Sequence, residues 1–100
     1  MSTISEQEFE RLCGDVYHDR RQIHAFNPNA SEEEAVLWML AGCLISLLDV
    51  PLWEQPSGRG GTSAEAYREA IHQLLRERME PVFDARVHLA GLSEMIAAGE

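Results

Sequence analysis

Two acid-x-x-His pairs are the first residues in this sequence that could do chemistry: Asp15 with His18, and Glu69 with His72. In di-iron helical bundles a Glu-x-x-His on each of two helices supplies metal ligands, provided that all of them point inward. Here the spacing points them outward. At about 100° per residue, His18 falls almost opposite Phe9 and Val16, and Glu69 and His72 fall away from Tyr67, Ile71 and Leu74. Both pairs therefore read as solvent-facing i,i+3 neighbours. His24 and His88 have no partner at ligand spacing and read as surface or helix-end residues, so no metal and no cofactor is expected.

Nucleophilic chemistry is no better supported. Cys13 and Cys43 sit among apolar neighbours, where a thiol loses reactivity, and thirty positions separate them, so they read as reduced core residues. The serines occupy helix caps or apolar runs, and none stands in a nucleophile-elbow motif. Glycines before Thr62 invite comparison with a phosphate-binding loop, but the spacing is wrong and the chain contains no lysine. Helix-start amides with Arg59 could hold a single anion there; an ordinary helix-to-helix loop is the simpler expectation. These absences point to a non-enzymatic protein.

The elements that position these residues are organised around Ala35 to Leu48, fourteen residues without a charge. That is short of the roughly 20 needed to cross a bilayer and long for a buried strand, so a core helix is predicted. Ser31 with Glu34 forms a capping box, and Pro51 ends the ladder, which bounds the helix at about 32–49. Apolar residues fall on all its sides, so it should be surrounded. Small residues at Gly42, Cys43 and Ser46 would admit a close neighbour.

Before it, Ser5 and Glu8 form another capping box, with Ile4 and Phe9 as a hydrophobic staple. Phe9, Leu12, Cys13, Val16 and Ile23 make one stripe, predicting a single first helix to about Ala25. Close helix contact would compensate Gly14. Arg20 is expected to lay its methylenes on the core and keep its guanidinium in water, the alternative being an ion pair with Asp49. Phe26 is expected to plug one end of the core, and Leu52 with Trp53 the other.

After the Pro- and Gly-rich connection a third helix starts at Thr62 or Ser63, with Thr62 and Glu65 as a capping box; its inner face is Tyr67, Ala70, Ile71, Leu74 and Leu75, with Arg78 at the core margin. Pro81 must kink it or restart it. Beyond, Val82, Ala85, Leu89, Leu92 and Ile96 align, and Phe83, Val87 and Ala90 form a second flank. The fold class expected is thus all-α: a single domain over 1–100, a bundle of three to four helices around the apolar one.

Composition bounds the partners. Seventeen acids against eight basic residues give a net charge of −9, which disfavours nucleic acid and anionic membranes. No amino-terminal segment has the basic and apolar runs of a secretion signal, so a cytoplasmic location is expected. A central helix needing about four neighbours in a chain that offers three predicts a homodimer. The acidic exterior suits a basic partner, as in an antitoxin, immunity protein or inhibitor covering a nucleic-acid-handling surface; phage-encoded inhibitors of nucleases or CRISPR complexes share this size and charge. Candidate contact residues are Glu32, Glu33, Trp53 and Arg59. The competing expectation is a small metal-binding protein or enzyme using surface His/acid pairs.

Overall fold

The computed structural model describes residues 3–55 and 63–99. They form five α-helices: α1 (Glu6–His18), α2 (Arg20–Phe26), α3 (Glu32–Leu47), α4 (Ala64–Leu75) and α5 (Ala85–Ala98). The all-helical bundle expected from the sequence is present, and α3 is its centre, packing against each of the other four helices. Buried residues form one cluster, in which Phe9, Val36, Leu37, Leu40, Leu44, Ile71, Leu75, Leu89 and Leu92 are almost wholly removed from water. Fully burying side chains of this kind contributes about 1.5–3 kcal/mol each.

Local signals explain where the helices start. Ser5 accepts from the Glu8 amide while the Glu8 carboxylate accepts from the Ser5 amide, and Ser31 and Glu34 do the same for α3. For α4 the cap is Ser63, which accepts from the Ala66 amide; the Thr62 box lies outside the described residues. Asp84 caps α5.

Several expectations are corrected. The first helix divides at Asp19, and beside the break the Tyr17 carbonyl accepts from Arg20 Nη1 at 3.0 Å. Arg20 does not reach Asp49. Its guanidinium lies 3.4 Å from Glu32 and over the Tyr17 ring at 4.2 Å. The central helix stops at Leu47 because Asp49 adopts a left-handed conformation (φ 53°), with Val50 N–H returning to the Ile45 carbonyl as in a Schellman ending.

The helix predicted to kink or restart at Pro81 ends earlier, at Leu75, and the next begins at Ala85. Between them Met79 forms an isolated bridge with Ile4, through Ile4 N–H to the Arg78 carbonyl (2.8 Å) and Glu80 N–H to the Ile4 carbonyl (3.0 Å). Backbone pairing with the amino-terminal segment thus replaces a helical turn. Arg78 holds its place at the core margin, donating to the Leu74 carbonyl and pairing with Glu54.

Neither predicted plug closes the core. Phe26 is 84% exposed, and Trp53, in a single 3-10 turn at Leu52–Glu54, is 85% exposed. Val82 and Val87 are likewise outside the core. Gly14 has no helix against it, since a Cβ there would meet nothing within 4 Å.

Candidate functional site

The four contact residues chosen from sequence are not brought together. Glu32 and Glu33, half-buried at the start of α3, pair with Arg20 (3.4 Å) and Arg68 (3.6 Å). They fasten α2 and α4 to the central helix and so act within the fold. Trp53 projects into solvent. Arg59 lies outside the described residues.

The acid/histidine pairs also separate. Asp15 and His18 are both exposed. Glu69 accepts from Gln73 and lies 3.5 Å from Arg86, not beside His72. His72 is half-buried, with Nδ1 shielded from water and without a hydrogen-bond partner. His24 bridges a connection: its Nε2 must carry the hydrogen, because it lies 2.8 Å from the Ala30 carbonyl.

The histidine that does enter a cluster is His88, which sequence spacing placed at the surface. Its side chain is 16% exposed and fills the seam between α1 and α5. Nε2 donates to Glu6 at 2.7 Å, and Nδ1 lies 3.7 Å from Glu10. The rings of Phe9 and Phe83 stand edge-on to it at 5.8 and 6.0 Å. Glu6 and Glu10 share one face of α1 because they are four residues apart. No local pattern could reveal this group, since its members are about eighty positions apart in the chain. One ligand atom from each of Glu6, Glu10 and His88 lies within 4.8 Å of the others, an arrangement that could hold a cation. The direct His88–Glu6 hydrogen bond occupies Nε2 and one oxygen of Glu6, and Nδ1 has no hydrogen-bond partner among the described residues.

Beside this cluster runs an open trough of about 560 Å³ between α1 and α5. Gly14 and Gly91 lie in its floor and Val87 and Met95 along it. The cleft between α4 and α5 differs in kind: Arg86 pairs with Glu69, and Arg68 with Glu33 and Ser93. Both of its arginines are already paired within the chain.

The second notable surface is the outward side of α3. Expected to be covered on all sides, this helix buries Val36, Leu37, Leu40, Ala41 and Leu44 but leaves Trp38 45% exposed, with Gly42 and Ser46 exposed behind it. Met39, Cys43 and Ile45, half-buried, flank that line. A Cβ on Gly42 would meet nothing within 4 Å. The bundle therefore covers one side of α3 and leaves the other, equally uncharged, in solvent.

Comparison with family models, curated proteins and solved structures finds no match to this chain. No helix among the described residues is long and apolar enough to cross a membrane.

Proposed function

We propose that this chain is a non-catalytic helical interaction protein that self-associates through the outward side of α3 and presents its acid-rich remainder to a basic protein, of the kind that handles nucleic acid. The observation that carries the reading is the uncharged, exposed line Trp38–Gly42–Ser46. A two-fold contact must be complementary to itself, and this line holds a knob, Trp38, one turn from a gap, Gly42.

Residues four apart form a ridge, and two such ridges interdigitate at about −50°. That crossing suits the charges. Glu34 and Asp49 bracket the line at its two ends, and a parallel or antiparallel alignment would bring carboxylates together. Crossing at Gly42 moves ends about 12 Å from the centre sideways by roughly 10 Å, which with the spacing between axes puts them roughly 13 Å apart, beyond the screening length. Elsewhere the net charge of −9 opposes self-contact.

Sedimentation equilibrium tests this. The wild type is expected to be a dimer and Trp38→Glu a folded monomer by circular dichroism, because Trp38 is not a core residue. Gly42→Ala should weaken the dimer while adding up to about 1 kcal/mol to the monomer. Mild oxidation should link Cys43 to Cys43 of the second copy. A wild-type monomer at all accessible concentrations, or a dimer indifferent to Trp38→Glu, would exclude this face.

A second reading is favoured by the Glu6, Glu10 and His88 cluster: a divalent-cation site between α1 and α5. Stoichiometric metal in purified protein, lost in His88→Gln, would select it.

A further inference from the structure

The trough between α1 and α5 differs from the α3 face in its charge. Val87 is 64% exposed and Met95 44%, so an apolar strip faces solvent along α5. A Cβ on either Gly14 or Gly91 would enter open space, so none of the described residues fills the floor. Its carboxylates are Glu10 on α1 and Glu94 on α5, and among the described residues no arginine lines it, His88 being the one basic side chain there. Glu94 is exposed and has no ion-pair partner among the described residues. The volume, about 560 Å³, lies within the ordinary range of binding clefts. From Val87 to Ala98 the strip covers three helical turns, or about 16 Å.

We propose that this trough receives an amphipathic helix of a partner protein, with apolar residues at i, i+3 or i+4, and i+7 entering the floor and Lys or Arg on both flanks meeting Glu10 and Glu94. Helix-in-groove recognition supplies the spacing of the anchors. Charge selects the occupant. A second copy of this chain would bring more carboxylates toward Glu10 and Glu94, whereas a basic helix gains opposite charges on both sides. The inference rests on reading the chain as an interaction protein, but it uses a surface separate from the proposed dimer face.

The probes are three synthetic peptides of about 15 residues, long enough for the three-turn strip. One has a Leu stripe with Lys flanks, one the same stripe with Glu flanks, and one Lys flanks with Ala replacing the stripe. Binding is read by titration calorimetry and by amide chemical shifts. The first peptide is expected to bind, shifting Val87, Gly91 and Met95, and the other two to bind about tenfold or more weakly. Glu94→Lys should weaken the first peptide and strengthen the second. Gly91→Trp should fill the trough and abolish both responses, its circular dichroism showing that the fold persists. Equal binding of the two Lys peptides would reduce the effect to general acidity and overturn the proposal. So would shifts located elsewhere, binding unaffected by Gly91→Trp, or trough shifts produced by protein concentration alone. Trp38→Glu should bind the first peptide unchanged, so loss of the dimer and loss of the trough are read independently.

Discussion

His88 Nε2 lies 2.7 Å from Glu6 Oε2, a bond that spans 82 positions and ties the last helix to the first. The two partners contribute unequally. Glu6 is more than half exposed, and a charge in that setting is worth at most about 1 kcal/mol, so Glu6→Gln should cost less than that. His88 also packs edge-on against two aromatic rings, each contact worth about 0.5–1.5 kcal/mol. Urea unfolding should show His88→Ala less stable by about 1–3 kcal/mol.

Asp49 holds a left-handed backbone. That conformation costs most L-residues about 1–2 kcal/mol and Asp less than most, while glycine adopts it freely. Asp49→Gly is therefore expected to raise stability by about 0.5–1 kcal/mol in the same unfolding assay, with an unchanged denaturant slope.

Alanine should act in opposite directions at two glycines. At Gly14 in α1 the added methyl meets nothing within 4 Å, so helix propensity alone decides and stability rises by up to about 1 kcal/mol. At Gly99 it would lie 2.7 Å from the Tyr17 hydroxyl and 2.9 Å from the Met95 carbonyl. The backbone oxygen cannot rotate away, and Gly99→Ala should lower stability by about 1 kcal/mol. Thermal melts of the two variants, read side by side, check the contrast.

The two cysteines should differ in reactivity. Burial pushes the Cys13 thiol up to about 12 from an ordinary 9.0, with nearby Glu10 adding to the effect. Between those values the unfolded chain carries a thiolate and the folded chain still holds its proton. Stability contributed by this group is thus complete below pH 9 and is lost as pH rises toward about 12. A thiol reagent at neutral pH should modify Cys43 first, and Cys13 only on unfolding. Equal rates at both sites would contradict the burial of Cys13.

At the acid end the caps respond. The Ser5 amide, then its hydroxyl, hold Glu8 below its ordinary 4.5, and Ser31 does the same for Glu34. A depressed carboxyl stabilises the fold above the unfolded value and loses that contribution as pH falls through the folded one. The Glu8→Gln, Glu34→Gln double variant should keep capped helices but show a flatter loss of helicity below pH 4.5.

The helical bundle was legible because its signals are local. Ser5–Glu8 and Ser31–Glu34 close their hydrogen bonds within four residues, and the uncharged run at Ala35–Leu48 supplies the helix around which the core forms. Breaks were less legible. The end of α4 at Leu75 depends on Ile4 pairing with Met79, a contact that no window of sequence contains.

What the chain determines by itself is helix identity, helix starts and the need for a core, since capping, propensity and apolar spacing act over one or two turns. Tertiary packing alone decided which apolar residues stay outside. Trp38, Phe26, Trp53 and Val87 are as greasy as their buried neighbours, and only the positions of the other helices leave them in water. The same packing turned His88 from a surface residue into the link between α1 and α5, because burial and pairing depend on what lies opposite across the fold.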